Sequence, residues 1–142
     1  MLTRRDLMIA GGSAVLAHAV VASAADAPAA PTDKGQALTS ATAECVRTGE
    51  ACMQHCLDEL STGDKMLGDC AQSVNQMLAI CRAVGPIVDA KGQYVKAMVQ
   101  LCHDVCTDCE QVCRKHAQHH AICAACADAC AAVVKASQAL IA

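Results

Sequence analysis

The residues best equipped for chemistry are cysteines. Twelve stand in a chain of 142 residues: Cys45, Cys52, Cys56, Cys70, Cys81, Cys102, Cys106, Cys109, Cys113, Cys123, Cys126 and Cys130. Nearly every spacing within a run is three, four, seven or eleven, which returns the thiols to one face of an α-helix. A disulfide scaffold usually scatters its cysteines over loops, whereas here the buried stripe of amphipathic helices is written in thiol where leucine would be ordinary. Such a core suits a soft metal.

Cys52 and Cys56, Cys102 and Cys106, Cys109 and Cys113, and Cys126 and Cys130 form Cys-x-x-x-Cys pairs; Cys106 and Cys109, and Cys123 and Cys126, form Cys-x-x-Cys pairs. Cβ atoms one turn apart on a helix lie about 5 to 6 Å from each other. A disulfide wants them at about 3.5 to 4.5 Å, so bridging within a helix costs distortion, while an ion between the sulfurs suits the wider gap. Disulfides between helices stay geometrically open. Charge then separates the metals, because a thiolate in an apolar core is costly unless neutralised. Zinc in closed sites takes about four ligands, so about three Zn²⁺ would consume all the thiolates and leave a charge of about minus six buried. Cu(I), which thiolate and thioether ligands favour, can share bridging thiolates until ions match sulfurs and the core is neutral, a capacity on the order of a dozen per chain. Cys106-x-x-Cys109 with Cys123-x-x-Cys126 also approximates a paired zinc knuckle, but that reading leaves the other helical pairs idle. Iron–sulfur ligands converge from turns around one inorganic core and do not line long helices.

Helices must position these thiols. Ser61-Thr62-Gly63-Asp64 marks one turn, Gly85-Pro86 with Lys91-Gly92 brackets a second, and His116 to His120 is a softer third. The cuts predict helices at about 34–60, 64–84, 90–116 and 118–141, with no strand. Short connections make successive helices antiparallel, so the expected fold is all-α: an up-down-up-down four-helix bundle with a cysteine-lined core. On the helical wheel Met66 and Met77 share the side of Cys70 and Cys81, Met98 and Val95 extend the third stripe, and Val134, Ser137 and Ile141 extend the fourth. Met66, His116, His119 and His120 then gather at one end as the mouth of a thiol-lined tube. Leu38, Val84, Ile87, Val88, Val95, Val134 and Ile141 form an apolar plug at the other.

The N-terminus is of another kind. Thr3-Arg4-Arg5-Asp6-Leu7-Met8-Ile9 precedes a weakly apolar, Gly- and Ala-rich stretch ending at Ala22-Ser23-Ala24, which reads as a twin-arginine export signal over 1–24. Gly11, Gly12, Ser13 and His18 dilute it below the roughly 20 strongly apolar residues of a membrane anchor. Residues 25–33 read as a tether and 34–142 as the metal-binding bundle, exported to the periplasm with no span in its mature form. The chain holds 11 Lys and Arg against 14 Asp and Glu; without Arg4, Arg5 and Asp6, nine bases face thirteen acids. That balance argues against nucleic acid as a partner. Phe and Trp are absent and Tyr94 is the one aromatic residue, so Cys, Ala, Leu, Val and Met must fill the core. Thiols bury less apolar area than Leu or Phe, which leaves the unliganded core weakly driven.

Cys102-x3-Cys106-x2-Cys109-x3-Cys113-x2-His116, followed by His120-x2-Cys123-x2-Cys126-x3-Cys130, resembles the cysteine-rich hairpin of the bacterial copper storage proteins. The resemblance is close over the third and fourth helices and looser over the first two, where the second offers only Cys70 and Cys81. It implies a bundle whose lumen holds many Cu(I) ions on these cysteines, assembly as a homotetramer, and, with the leader, membership of the exported branch. Copper-requiring enzymes or copper carriers are the partners it implies.

Other residues admit two readings. Met66, Met77 and Met98 are auxiliary ligands or core filler. His116, His119 and His120 capture or relay copper at the mouth, or are solvated turn residues. His55 and His103 fall about 80 to 100° off the stripes and are expected at the surface. Gly49, on the stripe between Cys45 and Cys52, leaves room for an ion or for close helix packing. No nucleophile is set beside a base, so the expected function is binding and storage, not catalysis. The rivals are a thiol-redox protein, which would need one activated Cys-x-x-Cys pair, a zinc protein, and a disulfide-tied structural bundle.

Overall fold

The computed structural model describes residues 33–142; the expected leader, and the tether apart from Asp33, lie outside the described residues. Four helices follow one another: α1 (Lys34–Ser61), α2 (Gly68–Asp89), α3 (Val95–His116) and α4 (Ala121–Ile141). No strand occurs among the described residues. Each helix packs on two neighbours, α1 on α2 and α4, and α3 on α2 and α4, while across the diagonals the backbones stand apart and cysteine side chains fill the central lumen. This is the antiparallel four-helix bundle expected.

Local chemistry sets the ends. The Asp33 carboxylate accepts the Gly35 N–H at 3.1 Å and caps α1. α2 starts later than expected because Asp64 spends its side chain on an Asx turn, its Oδ1 accepting the Met66 N–H at 2.8 Å. Asp69 then places a carboxylate in the first turn of α2, and Arg114, Lys115 and His116 place bases in the last turn of α3, each matching the helix dipole.

The break expected at Gly85-Pro86 does not occur: α2 runs through Pro86 to Asp89, and the chain turns at Lys91, whose φ is +50°. Proline so close to a helix end removes one ladder bond, while Val84 and Val88 stay packed in or against the core. The later turn also moves the start of α3 to Val95.

All twelve cysteines are buried, together with Leu38, Val74, Met77, Val84, Val99 and Val133. At the apolar end Val99 and Val133 take the inward positions expected of Met98 and Val134, and Ser137 is buried there, its hydroxyl donating to the Val133 carbonyl at 2.8 Å. The ion pairs between neighbouring helices, Arg82–Glu50 at 2.8 Å and Arg114–Asp128 at 2.7 Å, are exposed. Exposed pairs of this kind contribute about 0 to 1 kcal/mol, so core packing carries the bundle. α4 is also long and apolar enough to cross a membrane. Part of that apolarity comes from Cys123, Cys126 and Cys130, which face the lumen.

Candidate metal centre

The stripes converge as the spacing demands. All twelve cysteines are free thiols and none is more than 3% exposed. Sulfurs from different helices approach closely: Cys81 and Cys106 at 3.5 Å, Cys45 and Cys130 at 3.6 Å, Cys70 and Cys113 at 3.6 Å, and Cys52 and Cys123 at 3.9 Å. These gaps are well over the roughly 2.05 Å of a disulfide bond.

Five groups of three sulfurs have every atom within 4.8 Å of the other two. From the mouth inward they are Cys52/Cys56/Cys70, Cys52/Cys113/Cys126, Cys109/Cys126/Cys130, Cys45/Cys106/Cys130 and Cys81/Cys102/Cys106. Each shares a thiol with the next: Cys52, then Cys126, Cys130 and Cys106. Cys123 stands beside the first group, 4.0 Å from Cys70. The lumen is therefore one continuous ladder of sulfur, with bridging positions built in.

Acidity varies along it. Burial pushes the Cys56 and Cys123 thiols at the mouth above the ordinary range. Deeper in, thiols that accept from neighbouring S–H groups are pushed down, Cys102, beside Cys106 and Cys81, to about 4. Their partners move the other way, Cys81 raised by its bond with Cys102 and Cys113 by its bond with Cys109. A few thiolates can share neighbouring protons, but the network cannot ionise as a whole without cations.

The mouth differs from the sequence expectation. Met66 is 70% exposed in the turn before α2, off the cysteine stripe, because helical phase begins only at Gly68. Leu67 takes the inward place, 1% exposed and one turn before Cys70. His116 does reach the mouth, its Nε2 3.0 Å from the Asp69 Oδ1. His119 is exposed. His120 packs against His55, with Nδ1 and Nε2 2.9 Å apart and ring centroids 4.9 Å apart. His55 is thus half-buried in the α1/α4 seam and not a surface residue, and His103 is likewise half-buried, its Nδ1 3.1 Å from the Ser137 hydroxyl. Both histidines lie off the stripes as the wheel requires, but off-stripe positions here are helix seams, which a single wheel cannot distinguish from solvent. Asp69 and Leu67 were likewise missed; an acid in a first helical turn was the available signal for Asp69. Met77 is fully buried, and its Sδ accepts from the Cys45 thiol at 3.4 Å. Met98 is half-buried and lines an outer hollow with Pro86, Ile87, Tyr94 and Leu101, away from the sulfur ladder.

Known proteins share this fold. A cytosolic copper storage protein from Streptomyces lividans, solved with five coppers, superposes with a TM-score of 0.70 at 27% identity, covering 76% of this chain and 92% of that one. The Cu(I)-bound copper storage protein BsCsp3 gives 0.70 at 25% identity, over 78% of this chain and 100% of its own. The cysteine-rich protein YhjQ of Bacillus subtilis (strain 168), itself uncharacterized, is 28% identical over 94 residues, 66% of this chain and 83% of the relative. The copper storage protein family (Csp) matches residues 31–142, a span that includes all four helices and every cysteine of the ladder, and the chain belongs to that family.

Proposed function

We propose that this protein stores Cu(I) in bulk, taking up on the order of a dozen ions per chain on its twelve core thiols and releasing them to copper-requiring enzymes or carriers by ligand exchange at the mouth. The observation that carries this reading is the chain of five three-sulfur groups joined by shared thiols. A shared thiolate bridges two ions, which brings the ratio of ions to sulfurs toward one and the core toward neutrality. The same sharing gives an ion a path inward in which a new Cu–S contact forms before the old one is lost. Copper is cargo in this scheme, and no catalytic step is assigned. A thiol-redox enzyme would need an accessible, activated pair, and every thiol here is buried.

His116 with Asp69, and His120 with His55, supply the nitrogen and oxygen ligands that first receive an ion at the mouth before Cys56, Cys70 and Cys123 take it. Export rests on Arg4 and Arg5: the twin-arginine route carries folded proteins, which would shield the thiols from periplasmic oxidation. One structural relative is cytosolic, so the leader alone carries the compartment. A homotetramer rests on the family resemblance.

Anaerobic titration of the reduced protein with Cu(I) against a competing chelator, with thiols counted in the apo form, tests the reading. The expected result is about ten or more tightly held ions and all twelve thiols free. Retention of only about two to four ions, or thiols already paired, would overturn it in favour of a zinc-type site or a disulfide scaffold. Replacing Arg4 and Arg5 by Lys is expected to hold the protein in the cytoplasm, read by cell fractionation.

A further inference from the structure

The lumen holds one more sulfur than its thiols. Met77 is fully buried on α2 between Cys70 and Cys81, with its Sδ 3.4 Å from the Cys45 Sγ, which is itself 3.6 Å from the Cys130 Sγ. α2 is the helix poorest in cysteine, with Val74, Met77 and Leu78 buried between its two thiols. At this level the thioether forms its wall.

A notch on α1 holds Met77 in place. Gly49 is buried, and a Cβ there would lie 2.5 Å from the Met77 Cε and 3.0 Å from the Leu78 Cδ2. The methyl group therefore occupies the space a side chain at position 49 would fill, while the sulfur next to it approaches Cys45. Glycine weakens a helix interior, a cost the notch carries in admitting the Met77 methyl and the Leu78 side chain.

We propose that Met77 is a Cu(I) ligand, completing a mixed thioether–thiolate site with Cys45 and Cys130 and positioned by the Gly49 notch. The proposal rests on the Cu(I) storage reading and assigns a neutral ligand within it. Thioethers are among the soft donors that select Cu(I). With metal–sulfur bonds of about 2.3 Å, three sulfurs around one ion stand about 4 Å apart, so the Met77–Cys45 and Cys45–Cys130 gaps need only a slight opening. On binding, the Cys45 and Cys130 protons leave to solvent and Cu–S bonds replace both S–H bonds; Met77 donates a lone pair and exchanges no proton. A third thiolate would add another negative charge to the apolar core, whereas Met77 raises the coordination number without one.

The test is X-ray absorption at the selenium and copper edges, on the full chain labelled with selenomethionine and loaded anaerobically with Cu(I). The expected result is copper at bonding distance from selenium in the parent protein, lost in Met77→Leu and diminished in Gly49→Ala, where the new methyl must displace the flexible end of Met77. Met77→Leu is also expected to release a minor fraction of its copper to a chelator several-fold faster while retaining the rest. A copper edge dominated by sulfur with no selenium neighbour would overturn the proposal and leave storage standing. Selenium–copper scattering unchanged in Met77→Leu would overturn it by assigning the contact to one of the other five methionines. Failure to retain any Cu(I) would overturn the storage reading and the proposal with it. If Met77→Leu does not fold, by circular dichroism, Gly49→Ala carries the test with Met77 in place.

Discussion

Cys56 and Cys123 stand at the histidine end of the sulfur ladder, and burial holds both as neutral S–H groups. In the unfolded chain the same groups ionise near the ordinary thiol value of about 8.5. A group whose pKa is raised on folding contributes stability below its unfolded value and loses it as pH climbs toward the folded one. The apo protein should therefore lose thermal stability steeply above about pH 9, and Cys56→Ala/Cys123→Ala should lose less over the same range, as read by anaerobic melts with reductant present. Loading with Cu(I) should release protons from these thiols at neutral pH, so that apparent affinity rises with pH; proton release in weakly buffered solution measures it directly.

Each helix can be questioned separately because its ends and its inward face have distinct chemistry. Asp33→Ala removes the carboxylate that caps α1 and should cost about 1 kcal/mol, seen as a lower denaturant midpoint for the apo protein. Gly49→Leu forces a side chain into the space held by Met77 and Leu78 and should cost about 1 to 3 kcal/mol by the same measurement. The helices themselves were legible: the cysteine periodicity, the turn at Thr62-Gly63 and the missing strand signals predicted four helices and their inward faces. Their ends were less so. Asp64 looked like a helix start but closes an Asx turn, and Pro86 looked like a stop but lies where a helix can spare one hydrogen bond.

Across the whole bundle, a core built from small thiols with no Phe or Trp has little apolar area to spend on folding. Copper bound only by the folded state should raise the melting temperature progressively with each equivalent, by an amount that follows the ratio of free ion to dissociation constant. Circular dichroism melts of apo, half-loaded and loaded protein check this. A melting temperature indifferent to Cu(I) would separate the core thiols from copper binding altogether.

Periodicity alone determined that twelve thiols share the inward faces of four helices, because the direction of a helical side chain follows from its sequence position and the helix repeat. It also carried the charge argument for Cu(I), which needs only the number of sulfurs. Which sulfurs meet across helices was decided by the bundle, since the axial offset and rotation of each helix set the sequence of shared thiols from Cys52 to Cys106. The same packing turned His55 toward His120, put Leu67 where Met66 was expected, and seated Met77 against Gly49. Those pairings join residues tens of positions apart or depend on the phase at which a helix begins, and no local pattern encodes either.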